Sequence, residues 1–272
     1  MRVATSRAAH QILDEPRLLE DPLAMRIIGG TAARDILTER QRHLSTPARY
    51  LRAFVVARSR VAEDTLAEVV ACGVRQYVVL GAGLDTFAYR SPHGPALRVF
   101  EVDYPATQAW KRARLAEAGI AIPDSLVYVP VDFETQTLSK RLREAGFRGD
   151  AAALFSWLGV SMYLTRAAVL DTLRYVASLA AGSGIVFDYA TSLSSLSLTR
   201  RLIVRAVMLR VAAAGEPWLT FFDPRRLPGE LVEIGFTRAE DLGPDVINER
   251  FFKDRKDGLR VGQIPRLMRA WV

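Results

Sequence analysis

The feature that most limits what this chain can fold into is an alternation that begins near residue 75 and continues to the C-terminus. Nearly unbroken apolar runs at 76–80, 97–102, 126–129, 152–157 and 184–189 alternate with stretches at 105–118, 133–145 and 165–181 whose apolar residues recur every three or four positions. A strand that is apolar at every position needs cover on both faces, and the intervening helices supply it. The expected fold class is α/β, a doubly wound sheet that is parallel through these strands. A helix is expected over 223–235, opened by Asp223-Pro224 and closed by Gly235, and a last strand over 266–272.

Two segments stand outside this alternation. Residues 1–74 carry no strand signal. Thr46-Pro47 opens a long amphipathic helix that Gly73 stops, so this part is expected to be a helical cap on a core spanning 75–272. The second segment, 193–214, mixes Leu, Ile, Val and Met with Arg200, Arg201, Arg205 and Arg210. A basic amphipathic helix can lie on a membrane surface. This one interrupts the sheet pattern where strands end and sites form, so it is expected to pack on its own domain as a substrate lid, and a membrane contact is not expected.

Composition narrows the class further. A chain of 272 residues with 50% hydrophobic and 25% charged residues has the make-up of a folded globular protein, and at this length it buries about three-quarters of its unfolded surface. The single cysteine excludes an internal disulfide or a multi-cysteine zinc centre. Within Val69-Val70-Ala71-Cys72-Gly73 it is expected to be a small buried apolar residue. No signal peptide opens the chain, and no apolar run approaches the roughly 18 residues of a membrane span, so a cytoplasmic location is expected. The net charge of +7 comes mostly from scattered arginines, with lysine only at 111, 140, 253 and 256. Nucleic-acid binding would require a basic stripe with interleaved aromatics. A diffuse positive field instead favours an anionic small molecule.

The first apolar run ends in Gly81-Ala82-Gly83-Leu84-Asp85-Thr86. Two glycines at this spacing let a backbone turn tightly and approach a ligand at the carboxyl end of a strand. The dinucleotide fingerprint needs a third glycine where Thr86 stands, which argues against NAD and for a cofactor without a pyrophosphate. About twenty residues on, Glu101 and Asp103 have the same parity at the end of the second run. A carboxylate there can accept both hydroxyls of a ribose, and Asp103 is the better placed of the two. After the third run, Asp132 beside Phe133 suits an adenine, the acid accepting from the exocyclic amine and the ring packing on the base; alone, Asp132 could equally cap a helix.

Taken together these segments resemble the leucine carboxyl methyltransferase family and its bacterial, polyketide-tailoring relatives. The matching stretches are Gly81-Ala82-Gly83-Leu84-Asp85-Thr86, Phe100-Glu101-Val102-Asp103-Tyr104-Pro105, Val131-Asp132-Phe133 and Gly159-Val160-Ser161-Met162-Tyr163-Leu164, with Val56-Ala57-Arg58-Ser59-Arg60 upstream and Gly258-Leu259-Arg260-Val261 downstream. The resemblance implies a Rossmann-like class I methyltransferase fold that uses S-adenosyl-L-methionine, with an N-terminal helical addition and an inserted lid helix. It implies that Arg58 pairs with the carboxylate of the cofactor's methionine moiety, a role for which the guanidinium fork is suited, with Arg60 as a rival. It further implies that Gly81 and Gly83 line that moiety, that Asp103 holds the ribose, and that Asp132 and Phe133 hold the adenine. One departure stands out: many members carry a glutamate just before Gly159 for the cofactor's amino-acid end, and here the residue is Leu158, leaving Ser156 or backbone carbonyls to substitute.

The expected reaction is O-methylation of a small, anionic acceptor. A carboxylic acid is ionised at neutral pH, whereas a phenol near pKa 10 usually needs a base. His10, His43 and His93 are the only histidines, and none is placed beside the methyl donor by its sequence context. Tyr163 is a candidate for orienting the acceptor. Methylation of a protein C-terminus and a non-catalytic cofactor-binding module are the alternatives. No metal site is expected, and the oligomeric state stays open.

Overall fold

In the computed structural model, which describes residues 1–132, 136–213, 215 and 217–272, five helices precede the first strand. They are α1 (Arg2–Leu13), α2 (Ala24–Ile28), α3 (Gly30–Thr38), α4 (Arg40–Leu44) and α5 (Thr46–Ala71). Pro47 sits in the first turn of α5, and Cys72 caps its other end before Gly73 turns at φ 100°. Cys72 is exposed, which corrects the expectation of a buried thiol: Val69 and Val70 take the core side of this last turn, and Ala71 and Cys72 fall on its solvent side.

The sheet then begins. In chain order follow β1 (Gln76–Leu80), α6 (Phe87–Arg90), β2 (Arg98–Asp103), α7 (Pro105–Glu117), β3 (Leu126–Pro130), α8 (Leu138–Glu144), β4 (Ala153–Trp157), α9 (Arg166–Ala177) and β5 (Gly184–Tyr189). After β5 come α10 (Leu198–Ala212), α11 (Leu227–Ile234), β6 (Arg238–Leu242), α12 (Pro244–Phe251) and β7 (Arg266–Trp271). The strand order is β3-β2-β1-β4-β5-β7-β6. Strands β1–β5 are parallel, and β7 runs antiparallel between β5 and β6. Helix α8 opens at Leu138, later than the apolar period implies.

Alternate residues divide the core into two faces. Val78, Leu80, Phe100, Phe155 and Phe187 pack on one face with Leu142, Leu173 and Leu231 from α8, α9 and α11. Tyr77, Val79, Val99, Leu154 and Val186 pack on the other with Val61 and Leu66 of α5 and Ile247 of α12. Each fully buried side chain of this size contributes about 1.5–3 kcal/mol. A third cluster joins Ala8, Ile27 and Ile36 of the first three helices to Leu84 and to Leu115 of α7, so the N-terminal helices rest on the turn that follows β1.

Candidate functional site

The chain runs from β1 to β2 on one side of the sheet and places β4 on the other side of β1, so the carboxyl ends of β1 and β4 flank the switch point where open α/β sheets take ligands. The backbone there is tightly drawn. Gly81 has φ +65°, and a Cβ on it would lie 2.4 Å from Cγ2 of Val160 in the turn after β4. Gly83, at φ +45°, donates its amide to Oδ2 of Asp103 at 2.6 Å. The turn after β1 is thus pinned to the end of β2, and no side chain fits at Gly81.

Asp103 at the end of β2 and Asp188 near the end of β5 have the parity of the face that α5 covers, and Arg58 comes from α5 itself. Asp103 also accepts the amide of Tyr104 at 2.7 Å. Burial pushes its carboxyl above the ordinary aspartate value, against the pull of the Gly83 and Tyr104 amides and of Lys111. Arg58 projects inward from α5, 7% exposed, and donates through Nη1 to Oδ2 of Asp188 at 2.6 Å. The other carboxylate oxygen of Asp188 accepts the Gly159 amide at 2.5 Å, and its main-chain carbonyl accepts the Ser161 hydroxyl at 2.6 Å. A Cβ on Gly159 would lie 2.8 Å from the Arg58 guanidinium. Asp188 therefore ties α5, the turn after β4 and the end of β5 into one corner.

The two arginines of the α5 motif separate cleanly. Arg58 faces the crevice, whereas Arg60 pairs on the surface with Asp64 at 2.6 Å. Glu101 and Asp103 share a face but differ in depth. Glu101 is fully buried against Lys111 at 2.7 Å, so it anchors α7 instead of lining the rim. Asp132 follows β3, where Val131 donates to the main-chain oxygen of Asp103 at 2.9 Å; since α8 starts at Leu138, Asp132 is not its cap. Phe133 lies outside the described residues. Tyr163 ends a single 3-10 turn, Ser161–Tyr163, and is half-buried at the crevice rim. Leu158 packs against the core of the α5 face.

Asp188 was not singled out from sequence. Its signal was present: it is the one charged residue in the otherwise apolar strand Gly184–Tyr189, and a lone acid in a strand buried on both faces needs a partner. No group of three or more His, Cys, Asp or Glu among the described residues could hold a metal.

A glycine turn after β1, an acid at the end of β2 and a second acid after β3, at the switch point of a sheet with one antiparallel strand, define a Rossmann-like methyltransferase. The comparisons agree. The leucine carboxyl methyltransferase model matches residues 1–177. YktD of Bacillus subtilis (strain 168), named for S-adenosyl-L-methionine-dependent methyl transfer, is 41% identical over 209 residues, covering 75% of this chain and 67% of its own length. A similarly named protein of Mycobacterium tuberculosis, Rv3767c, is 33% identical over 176 residues, covering 60% of this chain and 54% of its own length. Among solved structures, a DUF574 family protein of Streptomyces avermitilis superposes with TM-score 0.53 at 16% identity, covering 98% of this chain and 96% of that one. A Nostoc punctiforme structure described as an O-methyltransferase gives 0.52 at 12% identity, covering 85% and 62%. The chain belongs to the leucine carboxyl methyltransferase family, and its cofactor is S-adenosylmethionine.

Proposed function

We propose that this methyltransferase transfers its methyl group to an oxygen of a small carboxylic acid. The observation that carries this reading is where the three histidines lie. Both ring nitrogens of His10 are committed inside the N-terminal helices, to Asp14 and to the amides of Leu18 and Leu19. The carbonyl of His43 on α4 accepts from Arg52, and His93 precedes β2 at the opposite end of the sheet. No histidine therefore supplies a base at the strand ends, and an ionised carboxylate needs none.

The geometry fits the cofactor. At Gly83 a Cβ would meet nothing nearer than the Gly81 carbonyl at 3.9 Å, so the turn after β1 leaves room there for a ligand to approach the backbone. Asp103 accepts the ribose hydroxyls, and Asp132 accepts the adenine amine with Phe133 beside it. Arg58, fixed by Asp188, pairs with the methionine carboxylate. With Leu158 in place of an acid, Asp188 is the nearest acid to that corner and takes the ammonium's side of the charge balance, which disfavours the non-catalytic alternative.

S-adenosylmethionine supplies a methyl group on a positively charged sulfur. The protein contributes alignment and exclusion of water: Arg58 fixes one end of the cofactor, Asp103 the other, and Tyr163 orients the acceptor oxygen at the rim. An ionised carboxylate carries its own negative charge, so no residue of the chain would have to take a proton from the acceptor.

Incubation with methyl-labelled cofactor and a panel of small acids, phenols and peptides tests this. The expected product is a base-labile methyl ester of a small acid. Base-stable label on phenols, or ester formed only on peptide C-termini, would overturn the acceptor assignment. Asp103→Ala is expected to weaken cofactor binding by about 1–3 kcal/mol, the range for a lost charged hydrogen bond; unchanged affinity by calorimetry removes Asp103 from the site.

A further inference from the structure

Helix α10 contradicts the usual distribution of apolar residues. Leu198 is 78% exposed, Leu202 66% and Leu209 73%, and Ile203 and Val207 are exposed as well. At about 100° per residue, the three leucines fall within roughly 40° of one another, and Arg205 falls beside them on the same stripe. Among the described side chains of the helix only Val204, on another side, is buried, to 1%. The helix is held at one side and presents a ridge of leucines to solvent.

Its charge is one-sided. Between Asp188 and Glu216 the sequence contains Arg200, Arg201, Arg205 and Arg210 and no acidic residue. Arg200 bonds to the side chain of Gln263, and Arg201 to the carbonyls of Leu196 and Ser194. Among the described residues, none of Arg200, Arg201 and Arg205 is in an ion pair. The segment is rooted at the crevice. Thr191 bridges to Phe222, Leu219 donates to the Met162 carbonyl at 2.7 Å, and the Thr220 hydroxyl donates to the Leu164 carbonyl at 2.5 Å.

From these features we infer that α10 docks the protein onto an anionic lipid bilayer, with the crevice mouth turned toward the membrane. The occupant must accept exposed leucines and unpaired arginines together. A second copy of this helix would set arginines against arginines with no acid to relieve them. An anionic bilayer meets both needs: leucines enter the boundary of the acyl region, and Arg205 on the same stripe reaches lipid phosphates, its stem lying along apolar surface. The inference stands apart from the acceptor assignment, because it rests on α10 and not on the strand ends.

Co-sedimentation of the full chain with phosphatidylcholine vesicles, with and without phosphatidylglycerol, tests it. Binding is expected only to the anionic vesicles and is expected to fall as salt rises. Leu198→Ser, Leu202→Ser and Leu209→Ser combined, or Arg205→Glu, are each expected to lower it by at least roughly tenfold. Both variants are expected to keep the parent's melting temperature and cofactor affinity, which separates loss of docking from loss of fold or of the methyltransferase site. Absence of binding by the folded parent at low salt would overturn the inference, as would binding that survives both variants. A dimer in solution that dissociates when the three leucines are replaced, with no vesicle binding, would assign the ridge to a second copy instead.

Discussion

The helices ahead of the sheet bury charge, whereas the segment after β5 exposes apolar surface. In the first region Arg7, His10, Asp14, Asp21 and Arg52 are all buried. Arg7 pairs with Asp21 at 2.7 Å and donates to the carbonyl of Leu84, while Asp21 accepts the Thr86 hydroxyl at 2.5 Å. Arg52 grips Asp14 through two nitrogens at 2.6 and 2.8 Å. In the second region Leu198, Leu202 and Leu209 stand in solvent. Buried charges hold only one geometry, and here that geometry ends on Leu84, Asp85 and Thr86, the turn that also carries Gly81 and Gly83. The first addition thus belongs to the cofactor crevice, although its helices lie far from the strand ends in sequence. The second is fixed at its root and held along one side, with its leucine ridge left in solvent, which suits contact with something outside the chain.

The harshest way to break this comparison is Arg7→Met. Removing one member of a buried ion pair leaves the other stranded, at a cost of about 3–5 kcal/mol. Denaturant unfolding is expected to show that loss, and calorimetry on the remaining folded protein a weaker affinity for S-adenosylmethionine, because the Leu84 carbonyl loses its donor. Lost stability with unchanged affinity would make the N-terminal helices a cover with no part in shaping the turn.

Acid should separate the regions next. Burial opposes ionisation of Asp14, but hydrogen bonds from His10 and Arg52 outweigh it and hold the carboxyl below the ordinary range. Burial likewise opposes ionisation of Asp85, and Arg7, Lys111, the Phe87 amide and Arg90 together hold it low. A carboxyl with a lowered folded pKa stabilises the native state above its unfolded value, about 3.9, and loses that contribution as pH falls through the folded value. Burial shifts Glu101 and Asp103 the opposite way, so protonating them favours the folded sheet. Helix α10 has no acid to titrate. Below about pH 4, hydrogen exchange is therefore expected to rise in α1 and at the turn after β1 before it rises in β4 and β5. Simultaneous loss of protection everywhere would erase the distinction.

How much of this was legible in the sequence follows from the same contrast. Strands β1 and β5 match their apolar runs because both faces are covered. Strand β6, Arg-Ala-Glu-Asp-Leu at the sheet edge, was missed because an edge strand with charged residues reads as polar loop. The glycine turn, Asp103 and Asp132 stand out in the sequence as candidates because each follows one of three successive apolar runs. The choice between Arg58 and Arg60 could not, since it depends on how α5 is rotated against the sheet, and Asp188 was hidden inside a run read as plain core. For 193–214 the pattern of Leu and Arg was visible, but which side of the helix packs on the domain was not: Val204 is buried, whereas Leu198, Leu202 and Leu209 are exposed.

The smallest expected effects sharpen the comparison within α10 itself. Val204→Ala removes two buried methyl groups at about 0.8 kcal/mol each and is expected to cost on the order of 1.5 kcal/mol. Leu202→Ala, on a side chain 66% exposed, is expected to stay within about 0.5 kcal/mol of the parent. Paired thermal melts in the absence of lipid read the difference. If Leu202→Ala costs as much as Val204→Ala, the leucine ridge already packs on protein in solution, and the outward-facing reading of α10 fails. If only Val204 matters, the leucines contribute nothing to folding, and their place on the helix has to be explained by what they touch outside it.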